Sequence, residues 1–193
     1  MNYISEPYPI DLKKLLKKAN DIAFEIMEQL NNNDCKKINE LYSNNNEGQI
    51  RRNTRIFSEL GYLPNIYNGK SLNPSNDNEY RGIYVFGEER AGKVIPVYVG
   101  ISRTIYRRLR QHGFGKKHNE CSLAYLMTRE QWKIENKITK RATITNNDLI
   151  PGKKKVKELK VALYPVYNNY DLYFLEVAIA GIFKTKWNSF RTH

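Results

Sequence analysis

Apolar residues recur at helical spacing early in the chain. Within residues 11–30, Leu12, Leu15, Leu16, Ala19, Ile22, Ala23, Ile26 and Leu30 follow the period of an amphipathic helix. Asp11 stands where an N-cap belongs, and Asn31, Asn32 and Asn33 end the run. Weaker patterns predict a second helix over about 35–43 and a third over about 47–59. NIYNGKSLNPSNDNEY (65–80) then reads as a loop from its Asn, Gly, Ser and Pro content. That stretch divides a helical N-terminal region, residues 1–78, from the remainder, residues 79–193.

Past Arg81 the grammar changes. RGIYVFG (81–87) is rich in strand formers, GEERAGK (87–93) supplies a turn with two glycines, and VIPVYVG (94–100) reads as the returning strand. A short basic helix is expected from Thr104 to His112. SLAYLM (122–127) is apolar enough to be buried, and 128–160 is polar and basic. VALYPV (161–166) follows as a strand, and YDLYFLEVAIAGIFKTK (170–186) as a strongly apolar helix.

Composition narrows the class. The chain has 193 residues, of which 40% are hydrophobic, with 14 Tyr and 7 Phe, enough for a real core. No apolar run reaches the roughly 18 residues a membrane span needs. MNYISEPYPI lacks the basic-then-apolar layout of a secretory leader. Cys35 and Cys121 are too few for a disulfide framework or a metal cluster and suit buried thiols in a reducing cytoplasm. The net charge of +12 fits a polyanionic partner, because neutralising phosphates releases condensed counterions. It equally fits a lysine-rich chain from an AT-rich genome, so charge alone decides nothing.

Side chains alternate along a strand, so Tyr84 and Phe86 share one face while Ile83 and Val85 share the other. Tyr98 points away from Val97 and Val99. Tyr84 and Tyr98 can therefore stand on one face of the hairpin. Arg108 and His112, four apart, lie on one side of the next helix. An Arg there can stabilise charge developing on a phosphate, and a His can donate a hydrogen bond or relay a proton. Glu176 is a single carboxylate inside YFLEVAIAGIF. An ionised carboxylate in such company requires a buried cation or a metal ion as partner. One carboxylate suffices for Mg²⁺ when waters and a substrate phosphate complete its shell.

Taken in order, these residues resemble the GIY-YIG nuclease superfamily. GIY at 82–84 and YVG at 98–100 are followed by Arg108, His112, a lone Glu176 on a later apolar helix, and Asn188 in KTKWN. The resemblance covers 81–127 and 161–190. It implies an α+β domain, a small antiparallel sheet flanked by helices, that hydrolyses phosphodiester bonds in DNA, most naturally double-stranded. It also implies roles: Tyr98 as general base or water-orienting group with Tyr84 beside it, Arg108 on the scissile phosphate, and His112 assisting. Glu176 would hold one Mg²⁺ or Mn²⁺, and Asn188 would support the site. A tyrosine hydroxyl ordinarily ionises at about pH 10, so a base of that kind needs a cation nearby. If 176–188 were one straight helix, Glu176 and Asn188 would lie about 18 Å apart, so they can share a site only if the helix ends near Lys184–Lys186 and the chain folds back.

Two departures from the family stand out. Many relatives carry a basic residue soon after the second glycine, where this chain has Ile101 and Ser102, with Arg103 next and Lys116 and Lys117 as substitutes. The stretch between His112 and Glu176 is longer than in compact relatives. Residues 129–160 of that stretch hold ten Lys or Arg and four acids, a net of +6, half of the whole chain's excess. That makes it a phosphate-gripping arm or a solvated loop. Arg103, Arg107, Lys116, Lys117, Lys153, Lys154 and Lys155 are the candidate DNA contacts. Residues 1–78 would supply further DNA contact or a homodimer interface. The pathway expected is restriction or conflict with mobile elements, with repair of nicked or branched DNA, or non-catalytic DNA binding, as alternatives.

Overall fold

Helix α1 (Leu12–Asn31) begins as its sequence predicts, with the Asp11 carboxylate accepting from the N–H groups of Lys13 and Lys14. Leu15, Ala19, Ile22, Ala23, Ile26 and Leu30 are buried, whereas Leu12 and Leu16 are 62% and 51% exposed. The apolar stripe is thus narrower than the sequence pattern. This computed structural model describes residues 11–62, 66–67, 70–71, 80–138, 140, 143–188 and 190. Most of the expected 65–80 loop lies outside the described residues, apart from a short antiparallel pair, β3 (Ile66–Tyr67) with β4 (Lys70–Ser71).

The chain divides into two compact units that interleave in sequence. The first takes Met1–Cys35, Leu63–Ile105 and Val161–His193; the second takes Lys36–Tyr62 and Tyr106–Lys160. A division near residue 78 therefore does not describe the packing, because α1 shares a core with the sheet.

In the first unit, β5 (Gly82–Arg90) and β6 (Lys93–Ser102) form an antiparallel hairpin closed by Ala91 and Gly92. Both turn residues have positive φ, 47° and 76°, the left-handed pair that matches strand twist in a two-residue hairpin. The strands run longer, and the turn is tighter, than 87–93 had implied. With β7 (Lys160–Pro165) they make a three-stranded sheet of order β6-β5-β7. Helix α7 (Asn169–Phe183) packs with α1 on one face of this sheet. Ile83, Val85 and Val99 meet Ile22 and Ile26 of α1 and Leu172, Leu175 and Ile179 of α7 in one apolar core. Burial of each such side chain stabilises the fold by about 1.5–3 kcal/mol.

The second unit corrects two expectations. The helix expected over 35–43 is only α2 (Ile38–Leu41), followed by β1 (Tyr42–Asn44). The helix expected over 47–59 is split into β2 (Ile50–Arg52) and α3 (Thr54–Glu59). Turn chemistry overrides helical periodicity here. The Asn45 side chain accepts from the N–H of Glu47 and of Gln49, and Gly48 adopts φ 73°, so NNNEG closes a hairpin. Its Tyr42 donates to the Tyr106 carbonyl at 2.6 Å. Phe57 meets the Tyr106 ring edge-on at 4.8 Å.

The rest of this unit is α4 (Ile105–Phe114, from Tyr106 onward), α5 (Ser122–Ile134) and α6 (Ile150–Lys157). Gly152 lets α6 approach α5 closely, since a Cβ there would come within 2.6 Å of the Ala124 carbonyl oxygen. Leu149, Val156 and Leu159 are buried. Of the basic stretch, residues 129–134 lie in α5 and 150–157 in α6. Among the described residues no helix is long and apolar enough to cross a membrane.

Candidate active site

The hairpin register sets the tyrosines. Phe86 lies opposite Tyr98, Tyr84 opposite Gly100 and Val85 opposite Val99. Residues directly opposite in an antiparallel pair share a face. Tyr84, Phe86 and Tyr98 thus form one cluster, on the side away from α1 and α7. The Tyr84 and Tyr98 ring centroids are 6.2 Å apart, and Tyr98 stacks on Phe86 at 6.1 Å. Tyr84 is buried and Tyr98 partly exposed.

Both glycines of the tyrosine tripeptides have steric reasons. A Cβ on Gly100 would lie 2.3 Å from the Tyr84 hydroxyl and ring, so the Tyr84 side chain occupies the space above that residue. A Cβ on Gly82 would lie 2.0 Å from the Tyr164 carbonyl oxygen on β7. Any larger residue at either position displaces a buried ring or separates two strands.

Helix α7 ends at Phe183, and Lys184 takes a left-handed conformation with φ 51°. Thr185 N–H returns to the Ala180 carbonyl at 3.2 Å and Lys184 N–H to the Gly181 carbonyl at 3.3 Å, a Schellman helix stop without glycine. The helix thus ends one residue before the expected Lys184–Lys186, and the chain folds back. It then runs along β6, the edge strand. Trp187 N–H donates to the Val97 carbonyl at 3.1 Å. Asn188 Oδ1 accepts from Val99 N–H, and Asn188 Nδ2 donates to the Val99 carbonyl, both at 2.8 Å. Thr185 Oγ1 donates to the same Oδ1 at 2.8 Å. One side chain thereby completes the backbone pairing of the residue between Tyr98 and Gly100.

Glu176 lies one turn from both Leu172 and Ala180 on α7, bordering the buried stripe. It has no hydrogen-bond or ion-pair partner among the described residues, and desolvation raises its pKa from 4.5 to about 7. The other α7 acid, Asp171, pairs with Lys18 at 2.6 Å. Among the described residues no group of three or more His, Cys, Asp or Glu is placed to hold a metal. A lone, partly desolvated carboxylate does fit a Mg²⁺ or Mn²⁺ ion whose shell is completed by water and substrate phosphate. It does not fit a metal caged by protein groups alone.

The remaining candidates fall into three environments. Arg103 donates to Asn169 Oδ1 at 3.2 and 3.1 Å, and Arg81, only 5% exposed, hydrogen-bonds the same oxygen. Sequence reasoning passed over Arg81 and Asn169, although a cation leading directly into an apolar strand was the same kind of signal as Glu176. In the second unit, the Arg108 guanidinium is held by the Asn119 and Glu120 carbonyls at 3.1 and 3.0 Å and by Ser122 Oγ at 2.9 Å. His112 is 0% exposed, and burial followed by the Arg108 charge holds its pKa well below the usual value. It is a neutral interior imidazole at pH 7, which suits a hydrogen-bonding role better than proton exchange with water.

Arg107, Lys116, Lys117, Lys154 and Lys155 point to solvent. Lys153 donates to Asn146 at 2.6 Å. Backbone N–H groups of Lys117 and Lys116 donate to Glu120 and lower its pKa. No family model, no curated protein and no solved structure matches this chain.

Proposed function

We propose that the chain is a divalent-metal-dependent DNA endonuclease of the GIY-YIG kind. The observation that carries the proposal is Glu176: a desolvated carboxylate with no partner among the described residues, on an apolar helix packed on the face of the hairpin opposite to the one that bears Tyr84 and Tyr98. Such a group is costly to fold and is worth keeping only if something binds it. A Mg²⁺ ion bound there would polarise the phosphate and stabilise the leaving oxygen.

The chain's own part is positional. Tyr98, partly exposed, orients the attacking water or accepts its proton, and Phe86 and Tyr84 hold its ring. Asn188 fixes the β6 backbone at Val99, between Tyr98 and Gly100. Arg108 and His112 enter through the order of the motif along the sequence, Arg108 for the phosphate and His112 as its neutral neighbour four residues on. Biologically the role fits restriction of incoming DNA or conflict with mobile elements.

The test is incubation of supercoiled plasmid and linear phage DNA with the protein, with Mg²⁺ or EDTA, beside Glu176→Ala. Discrete fragments that need Mg²⁺ and vanish in the variant are the expected result. Equal cleavage by Glu176→Ala, or none by the natural sequence on any duplex or branched DNA, would sink the proposal.

A further inference from the structure

The β1–β2 hairpin gives the N-terminal part of the chain a place in the second unit. A cleft of about 550 Å³ lies between this hairpin, the last turns of α4 and the 115–120 segment. Its walls carry Arg51, Arg110, Lys116 and Lys117, and Phe114 lies on its lining. None of the four cations is ion-paired among the described residues; Arg51 has only the Gln49 amide oxygen, at 2.5 Å. The single acid, Glu120, has one carboxylate oxygen occupied by the Lys116 and Lys117 backbone N–H groups, at 2.9 and 3.1 Å. Four like charges around one concavity repel each other, and an anion in the cleft removes that repulsion.

The distribution also selects the ligand. A single phosphate needs one fork of donors, whereas these cations are spread over two chain segments far apart in sequence. The amides of Gln49 and Gln111 and the ring of Phe114 add uncharged and apolar surface. A chain of regularly spaced charges with flat, partly apolar groups between them matches such a wall. We infer that this cleft grips successive phosphates of a nucleic-acid strand, so that Arg51 and Arg110 anchor substrate. The identification of the strand as DNA rests on the nuclease reading; the cleft and its charge do not.

The experiment measures anisotropy of a short labelled DNA duplex against salt, in EDTA, with Glu176→Gln in every protein so that no cleavage intervenes. Arg51→Ala/Arg110→Ala is compared with Lys13→Ala/Lys14→Ala, which removes equal charge from exposed α1. The cleft variant should bind about tenfold more weakly, with a salt slope smaller by about 2, roughly 0.9 for each phosphate contact removed. The α1 variant should stay close to the parent. A second pair, Lys116→Gln/Lys117→Gln, should reproduce the loss, and thermal melts of all variants should coincide. Equal binding by cleft and α1 variants would overturn the inference, as would equal competition by polyglutamate, which would assign the cleft to acidic peptide. Plasmid cleavage by the natural sequence, measured in parallel, separates the two readings. Cleavage without cleft dependence leaves only the nuclease; cleft-dependent binding without cleavage leaves only the grip.

Discussion

Helices α6 and α7 handle charge in opposite ways. In α6, Lys153, Lys154, Lys155 and Lys157 surround a small buried contact made by Gly152 and Val156. Charge there is plural, mostly solvated and cheap to fold. In α7 the buried residues are Leu172, Leu175, Ile179 and Ala180, and Glu176 borders them without a partner among the described residues. One charge in that setting opposes folding, so its presence points to a ligand, while the α6 lysines need no such explanation. The difference teaches where single substitutions speak. Variants of Glu176, and of Tyr84 and Tyr98 on the other face of the hairpin, should change chemistry or stability sharply, and variants in α6 should each do little.

The largest effect after loss of Glu176 itself is expected at Tyr98. Tyr98→Phe keeps the ring stacked on Phe86 and removes only the hydroxyl. Cleavage should fall about 10²-fold or more, as for loss of a group that handles a proton or orients water, with the melting temperature nearly unchanged. Tyr84→Phe removes a hydroxyl packed against Gly100 and should cost less in rate. Single-turnover plasmid cleavage by both variants decides the order, and a fully active Tyr98→Phe would move the proton transfer elsewhere.

Asn188 comes next. Replacement by Ala takes both side-chain hydrogen bonds from Val99 on the edge strand and leaves Thr185 without its acceptor. Partly buried backbone groups that lose their partners cost about 1–3 kcal/mol, so urea titration should place Asn188→Ala about 2 kcal/mol below the parent. Cleavage should fall with it, since Tyr98 is adjacent in β6. Asn188→Asp offers a sharper form, because it keeps an acceptor for Val99 N–H and loses the donor to the Val99 carbonyl.

These two residues also mark what the sequence could and could not disclose. The hairpin was legible because alternation and the Ala91–Gly92 turn are local, and α7 because apolar density over 170–183 admits little else. That the chain must fold back after α7 was legible from spacing. That Lys184, not a glycine, would turn it, and that Asn188 would clasp Val99, depend on where the edge of β6 lies, which no local pattern contains. The β1–β2 hairpin was read as helix because the 35–59 stretch has helical apolar spacing, while Asn45 and Gly48 carried the contrary signal. The interleaving of the two units was illegible for the same reason as the clasp. It joins residues 36–62 to 106–160 through contacts such as Tyr42 with Tyr106 and the Lys37–Lys160 bridge.

A smaller effect tests Glu176 without substrate. Its folded-state pKa is raised from 4.5 to about 7, so between those values the folded chain keeps a proton that the unfolded chain releases. Stability must fall as pH rises through that window and level off above it. Glu176→Gln has no such proton to lose. In EDTA the variant should match the parent near pH 5 and exceed it by about 1–2 kcal/mol at pH 8, after discounting for the solvent the carboxyl still sees. Melting curves across that range check the sign, and a constant difference would mean that the Glu176 carboxyl titrates alike in the folded and unfolded chain.

The smallest effect belongs to α6. Lys154 and Lys155 project into solvent and touch nothing whose loss would unfold the helix. Lys155→Ala should leave the melting temperature within the shift of about 0.5 kcal/mol typical of surface substitutions. If α6 contacts DNA, the same variant should lower the salt slope of binding by about 1 while changing affinity little at low salt. If α6 is only a solvated face, slope and affinity should both stay put. The contrast between the helices fails in the opposite case: a tenfold loss of cleavage from Lys155→Ala alone would make a single α6 charge as consequential as one on α7. The cheapness of solvated charge would then no longer separate the two helices.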